Sequence, residues 1–289
     1  MITQKELIDF LYYLQSRGEL SHHDIMPGCK VHADPEQPAA GELIEFHGLK
    51  MLAGINTHPG SGPLYKLKFG GHKEENYNAE YELFIDFIEN YISKDKKHPV
   101  MVELGSFWSL WSLVFRKMFP SGKSIIIELG KRQLDVGEKN FKNNGFDFSS
   151  YHGGFFLDDS GTFKNKEYDI LFPKLSNEYF DDTITGNIVG PDLSFSEIFS
   201  KEKLDVIDLL HMDIQSSELS LMKYLDDNNF LVDKILNFMI ATHSEEIHDT
   251  IKSILLKNEY KIVYEVEGRT WSSNKDSWGS DGMINATKN

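Results

Sequence analysis

Two side chains suited to proton transfer stand where apolar runs of the sequence end. Asp213 closes the run 206–214, and His243 follows the run 235–241. A carboxylate at the end of a buried strand is costly unless it is hydrogen-bonded or used in chemistry, and a histidine in such a place can take a proton from a substrate hydroxyl. We therefore predict Asp213 and His243 as catalytic residues. Each has a structural alternative, in which Asp213 caps the next helix and His243 begins the one after it.

A second group of residues, between Pro99 and Gly145, is suited to holding a nucleoside. The segment is typical of strand, helix, strand and helix, and both strands end in Glu-Leu-Gly. Glu128 ends the second strand, 23 residues beyond Gly105. In nucleotide-binding sheets an acidic side chain at about this spacing accepts hydrogen bonds from ribose hydroxyls. The predicted cofactor-binding residues here are Glu103, Gly105, Ser106, Glu128 and Leu129, with Asp213 facing them from its own strand.

The glycines of the first turn distinguish between two classes of cofactor. A dinucleotide site uses G-x-G-x-x-G, because the second glycine lets the backbone approach a pyrophosphate. Here the aromatic residues Phe107 and Trp108 follow Gly105 and Ser106. S-adenosylmethionine has no phosphate and needs only one tight turn and a helix N-terminus for its carboxylate. The pattern favours S-adenosylmethionine, with a dinucleotide enzyme and an α/β unit without ligand as the alternatives.

A third strand is predicted from Phe148 to Phe156, with the sequence His152-Gly153-Gly154-Phe155 near its end. In a doubly wound sheet this strand tip lies beside the adenine end of the ligand, where small residues and an aromatic ring suit a flat base. We add Gly154 and Phe155 to the predicted cofactor site.

Strands alternate with helices from residue 99 to residue 289, which predicts an α/β fold with a mostly parallel, seven-stranded sheet and helices on both faces. The later strands are predicted at 206–214, 235–241, 260–266 and around Asp281. Helices are predicted at 3–18 and 78–93, with strand pieces at 43–46 and 64–69 between them. We predict an N-terminal extension or cap at 1–97, a Rossmann-like domain at 98–289, and an insertion at 161–190.

The amino-acid composition limits the kinds of molecule that the protein is expected to bind. The 289-residue chain carries a formal charge of −15, which repels nucleic-acid phosphates and anionic membrane surfaces. A single cysteine, Cys29, excludes an internal disulfide framework. No apolar stretch resembles a signal peptide or reaches the length of about 18 residues that a membrane span needs. We expect a soluble cytoplasmic protein with no nucleic-acid partner and no membrane insertion.

Other polar residues have simpler interpretations. The histidines between residues 19 and 72 show no recurrent ligand spacing, and we assign no metal ligands. His211 shares one side of its strand with Asp213, where a buried, hydrogen-bonded role is favoured. Glu218 stands in the first turn of a helix, where the helix dipole stabilises an acidic side chain. This structural interpretation is favoured at least as much as a functional role.

The segment around Asp213 resembles the FkbM family of S-adenosylmethionine-dependent methyltransferases. It reads Leu204-Asp-Val-Ile-Asp-Leu-Leu-His-Met-Asp-Ile-Gln-Ser-Ser-Glu218, with Pro191 to Phe199 before it and Ala241-Thr-His-Ser244 after it. The family motif is roughly I-D-L-L-K-I-D-x-x-G-x-E, and its acidic positions are matched by Asp208, Asp213 and Glu218. Two departures are Ser216 in place of the usual glycine, and Glu103 with Phe107-Trp108 where the family usually has Asp and smaller residues.

The resemblance implies a class I methyltransferase fold with S-adenosylmethionine as cofactor. It also implies O-methylation of a small-molecule or glycan hydroxyl, on a sugar or another secondary metabolite. Some related sugar methyltransferases hold magnesium with carboxylates, so magnesium at Asp213 is left open, as is a homo-oligomer. The alternatives are a nucleotide-dependent dehydrogenase or sugar-modifying enzyme, and a catalytically inactive Rossmann-like binding protein.

Overall fold

The computed structural model describes residues 43–46, 49–52, 65–67, 75–77, 79–93, 95–155, 191–214, 217–266 and 282–288. The predicted first helix (3–18) and the predicted insertion (161–190) lie outside these residues. In the described residues the strands are β1 (Leu43–Phe46), β2 (Leu49–Leu52), β3 (Tyr65–Leu67), β4 (Glu75–Tyr77), β5 (Val100–Leu104), β6 (Lys123–Glu128), β7 (Ser149–His152), β8 (Leu209–Met212), β9 (Asn237–Thr242), β10 (Tyr260–Val266) and β11 (Gly282–Lys288).

A seven-stranded sheet in the order β7-β6-β5-β8-β9-β11-β10 forms the centre of the described chain. The strands β5 to β9 run parallel to one another, while β11 is antiparallel to both β9 and β10. This is the Rossmann-like class I methyltransferase fold, so the predicted fold class is confirmed. The two further pairs, β1 with β2 and β3 with β4, are antiparallel.

Helices cover both faces of this sheet, as predicted. They are α1 (Ala79–Tyr91), α2 (Leu110–Met118), α3 (Lys131–Asn143), α4 (Phe195–Lys201), α5 (Glu218–Asp227), α6 (Phe230–Asp233) and α7 (Glu245–Lys257). The central strands alternate their side chains between two cores. Ile126 belongs to one core with residues of α1, α2 and α3, whereas Ile125 and Ile127 belong to the other with residues of α4 to α7. Apolar runs buried on both faces therefore specify parallel strands here.

The position of the functional crevice follows from the strand order. The chain moves outward from β5 through β6 to β7 and then returns to β8 on the other side of β5. Ligands in open α/β sheets bind outside the carboxyl ends of the strands at such a reversal. Gly105 follows β5 and Asp213 follows β8 directly, so both lie at this point.

The elements before β5 pack on the sheet. Phe84, Phe87 and Ile88 of α1 are buried in the same core as Ile126. The backbone of Lys50 in β2 exchanges two hydrogen bonds of 2.8 Å with the side chain of Asn144, just after α3. The division at residue 97 stays a prediction. Among the described residues, no helix has both the length and the apolar character that a membrane crossing would require.

Candidate functional site

The turn after β5 lies in close contact with the end of β8. Gly105 has a φ of +72°, and a Cβ atom built on it would lie 1.8 Å from the carbonyl oxygen of Asp213. The N–H groups of Gly105 and Ser106 each donate to the carbonyl of Ile127 at 3.0 Å. These contacts join the ends of three neighbouring strands, and they leave no space for a side chain at position 105.

Two of the residues that follow Gly105 adopt a backbone conformation that favours glycine, although neither of them is glycine. Phe107, at the second glycine position of the dinucleotide motif, has a φ of +45°, and Ser109 has a φ of +63°. The left-handed region costs a non-glycine residue about 1–2 kcal/mol. The rings of Phe107 and Trp108 contact each other with centroids 4.5 Å apart. The loop therefore has the path of a tight ligand-binding turn, but aromatic side chains stand where a pyrophosphate would need open backbone.

Glu128 lies at the tip of β6 beside this turn. Its Oε2 accepts the N–H of Phe107 at 2.8 Å, and its Oε1 accepts the N–H of Gly130 at 2.7 Å. A carboxylate oxygen has two lone pairs, so the group can accept further hydrogen bonds. Burial, and to a smaller degree the charge of Asp213, raise the pKa of Glu128 against the opposing effect of the backbone amides of Gly130, Phe107 and Leu129. Glu128 and Asp213 are thus close enough to interact electrostatically at this edge of the sheet.

Glu103 and Ser106, two predicted cofactor-binding residues, lie deeper than Glu128. Both are buried. The Oε2 atom of Glu103 accepts the N–H of Ser112 in the first turn of α2 at 3.0 Å, and burial raises the pKa of this carboxyl to about 8. The observed partner of Glu103 is therefore the helix that follows the turn, and direct cofactor contact by either residue stays a prediction.

The tip of β7 lies beside that of β6, as predicted. Nε2 of His152 contacts the carbonyl oxygen of Leu129 at 3.0 Å. Gly153 donates its N–H to the carbonyl of Glu128 at 3.0 Å. Gly154 forms an isolated parallel bridge with Asp192, in the segment before α4. Contacts of Leu129 and Gly154 with a cofactor stay predictions.

Phe155 follows this tip and is buried, with its ring centroid 6.0 Å from that of Phe195. The side chain belongs to the core beneath α4. Its predicted contact with an adenine ring stays a prediction.

The structure brings the two residues predicted to be catalytic, Asp213 and His243, together and places Glu218 beside them. His243 lies directly after β9, and its Nε2 is 3.4 Å from Oδ1 of Asp213. Its Nδ1 is 3.1 Å from Oε1 of Glu218, in the first turn of α5. The side chains of Asp213, His243 and Glu218 are 24%, 8% and 0% exposed, so the group extends from the crevice surface into the interior.

Glu218 also holds the segment between β8 and α5. Its Oε1 accepts the N–H of Ile214 at 2.8 Å, four residues earlier in the chain. Ser217 occupies the N-cap position but makes no side-chain capping hydrogen bond. Glu218, which reaches back along the chain, therefore fixes this segment.

One oxygen or nitrogen atom from each of Asp213, Glu218 and His243 lies within 4.8 Å of the others. The two short contacts, however, involve different nitrogens of the imidazole ring, whose lone pairs point away from each other. The short contacts therefore place the ring between two carboxylates and do not direct both carboxylates to the same nitrogen. Mg²⁺ also prefers a shell of oxygens to one that includes imidazole. The geometry favours an imidazole paired with two carboxylates, and magnesium at Asp213 stays a prediction.

Asp208, the first acidic position of the sequence motif, lies at the opposite edge of the sheet. It precedes β8, and its carboxylate accepts hydrogen bonds from the Lys96 ammonium and from the Val100 N–H, each at 2.7 Å. This residue therefore joins the approach to β5 with β8 and has a structural role.

Two further histidines lie in the interior. His211 is buried, with its ring centroid 6.2 Å from that of Trp111. His248 is buried between the Thr242 hydroxyl at 2.8 Å and the Glu265 carboxylate at 3.0 Å. The favoured core interpretation of His211 agrees with its burial.

No protein-family model matches this sequence, and no curated protein matches it significantly. Solved structures are similar to it at low sequence identity and with TM-scores below 0.5. They include the METTL16 MTase domain, at 7% identity and a TM-score of 0.46, with 75% of this chain and 70% of that one covered. M. capricolum TrmK in complex with S-adenosyl-homocysteine matches at 12% identity and a TM-score of 0.41, with 78% and 70% covered. Precorrin-6y C5,15-methyltransferase from Geobacter metallireducens GS-15 matches at 11% identity and a TM-score of 0.42, with 78% of this chain and 95% of that one covered. This similarity assigns no activity to the present chain.

Proposed function

We propose that this protein is an S-adenosylmethionine-dependent methyltransferase that methylates a hydroxyl of a sugar, glycan or secondary metabolite. The observation that carries the proposal is the position of Glu128, a carboxylate at the tip of β6 that accepts the N–H of Phe107 in the turn after β5. This is where a nucleoside-binding sheet places the acceptor for ribose hydroxyls.

The charge around Glu128 supports a sulfonium cofactor over a dinucleotide. Glu128 and Asp213 influence each other electrostatically at the crevice. Attraction or repulsion at such a half-buried edge is stronger than in bulk water. S-adenosylmethionine brings a positive sulfonium to this edge, whereas a dinucleotide brings two negative phosphates. The aromatic residues Phe107 and Trp108 in the turn weigh against the dinucleotide for a separate, steric reason.

The chemistry of methyl transfer agrees with the arrangement of polar groups. When bound, the sulfonium cofactor would supply an electrophilic methyl group, and most of the rate enhancement in such a displacement comes from alignment. An alcohol is a weak nucleophile, so a base that receives its proton helps. His243, beside Asp213 at the crevice, is placed for that role. The choice of a hydroxyl acceptor, and of the FkbM family, is supported by the motif from Leu204 to Glu218.

Isothermal titration calorimetry of the purified chain with S-adenosylhomocysteine and with NAD tests the proposal. We expect saturable binding of S-adenosylhomocysteine and no binding of NAD. Binding of NAD alone would overturn the proposal in favour of a nucleotide-dependent oxidoreductase. Binding of neither would overturn it in favour of a protein that keeps the sheet without the enzymatic activity.

A further inference from the structure

We propose that Glu218, His243 and Asp213 form a proton relay, in which the buried Glu218 is a positioning residue that orients the imidazole of His243 toward the acceptor. The relay rests on the proposed function, because it serves the removal of a proton from a hydroxyl. It assigns a role to Glu218, which its position in a helix first turn would otherwise explain by the dipole alone.

The geometry of the relay is that of one imidazole ring between two carboxylates. Glu218 lies on the Nδ1 side at 3.1 Å and Asp213 on the Nε2 side at 3.4 Å. Both ring nitrogens have a carboxylate neighbour, and the nearer one is the buried Glu218 beside Nδ1. On this difference we assign the proton to Nδ1 and the lone pair to Nε2. Nε2 is therefore the atom that receives a proton, and it lies on the side of the crevice.

The two carboxylates differ in burial, which separates their roles. The Glu218 side chain is fully buried, and within the described part of the chain its Oε2 has no hydrogen-bond partner. A buried carboxylate with an unsatisfied oxygen is costly unless a positive charge lies close to it. His243 is the salt-bridge partner of Glu218 among the described residues. Glu218 thus favours the protonated imidazole, while Asp213, 24% exposed, can exchange a proton with water.

The relay gives a balanced step. The hydroxyl oxygen of the acceptor forms a bond to the methyl carbon while the carbon–sulfur bond breaks and its electron pair stays on sulfur. The hydroxyl proton passes to Nε2 of His243. The imidazolium then lies between two carboxylates, and its Nε2 proton leaves through Asp213 to solvent, which restores the neutral ring for the next acceptor.

The charged groups around the ring act in the same direction. Asp213 faces it from β8 and Glu218 from α5. Glu128 at the tip of β6 acts on Asp213 from further away. On the element of His243 itself, Glu245 and Glu246 stand in the first turn of α7. In the neighbouring strand β11, the described residues begin at Gly282, which pairs with Thr242. All these side chains are acidic, so removing one of them should move the imidazole titration to lower pH.

The test compares Glu218→Gln with wild type in two measurements. The glutamine keeps an oxygen for the Ile214 N–H but removes the charge. Nitrogen-15 NMR of the imidazoles in the ligand-free protein should show the Nδ1–H tautomer of His243, with a titration midpoint about one pH unit lower in the variant. With a methyl acceptor, the kcat of the variant should fall about tenfold or more. The acidic limb of the pH profile of kcat should also move to lower pH, as the titration midpoint does. Glu265→Gln, which alters the His248 pair, is the matched control and should leave that limb in place.

The outcomes separate the relay from the proposed function. Unchanged binding of S-adenosylhomocysteine together with an unmoved titration in Glu218→Gln would overturn the relay and leave the methyltransferase intact. An Nε2–H tautomer in wild type would overturn it even where the variant does not fold. Full activity in His243→Ala would also overturn it, as would activity lost on chelation and restored by Mn²⁺.

Discussion

Replacing Gly105 with alanine tests whether the turn after β5 is in contact with the end of β8. A Cβ atom at this position would lie 1.8 Å from the carbonyl oxygen of Asp213. Because the obstructing atom belongs to the backbone of a buried strand end, rotation of a side chain cannot relieve the contact. The turn or the segment after β8 must therefore move.

Gly145, just after α3, provides a matched control. Its φ of +69° is close to the +72° of Gly105, but a Cβ atom built on it would meet nothing within 4 Å. Alanine at both positions incurs a left-handed cost of about 1–2 kcal/mol, offset by about 0.4–1 kcal/mol from a less flexible unfolded chain. We expect Gly145→Ala to lose about 1 kcal/mol of unfolding free energy. Gly105→Ala should lose at least about 3 kcal/mol, in the range of severe core substitutions.

Urea denaturation followed by circular dichroism measures both free energies of unfolding. In the fraction of Gly105→Ala that folds, the affinity for S-adenosylhomocysteine should also fall, whereas Gly145→Ala should bind like wild type. Equal losses of stability in the two variants would refute the contact, because they would show that backbone conformation alone accounts for the effect.

Two further predictions concern the buried acids. Burial raises the pKa of Glu103 from 4.5 to about 8, so the folded state holds an extra proton between these values. The unfolding free energy of wild type relative to Glu103→Gln should therefore fall with rising pH across this window, by up to about 1.4 kcal/mol per pH unit; a difference independent of pH would contradict the burial effect. Asp208→Ala should cost about 1–3 kcal/mol, since the Val100 N–H loses its acceptor, without changing affinity for S-adenosylhomocysteine. The exposed Asp205→Ala serves as control, and equal stability losses, or weakened binding in Asp208→Ala alone, would show that this interpretation is wrong.

The sequence was informative where one physical pattern controls the structure. Apolar runs with turn residues at both ends predicted β5, β6, β8 and β9, because these strands are buried on both faces. The predicted 260–266 strand agrees with β10 to the residue. In contrast, β2 (Leu49–Leu52) and β4 (Glu75–Tyr77) were not predicted. Each is short and pairs with a single neighbour, so little periodicity marks it.

The sequence predicted two residues of the candidate site and missed the role of a third. Asp213 and His243 were found because parallel strands bring their carboxyl ends to one edge of the sheet. Glu218 received a helix-dipole explanation, because sequence spacing does not show that a side chain reaches back to Ile214 and across to His243. The five-residue separation of Asp213 and Glu218 is a signal that could have suggested it. The left-handed backbone of Phe107 depends on contacts between strand ends, so no local pattern predicts it.

The central claim is that Glu128 holds the ribose of a sulfonium nucleoside. Calorimetry of S-adenosylhomocysteine and its 2′,3′-dideoxy analogue, with wild type and Glu128→Ala, tests it most directly. In wild type, loss of the ribose hydroxyls should weaken binding by about 1–3 kcal/mol, and Glu128→Ala should weaken binding of the natural nucleoside by a similar amount. In the variant the two ligands should bind almost equally. A full hydroxyl dependence that persists in Glu128→Ala would show that the ribose is held elsewhere and would contradict the account.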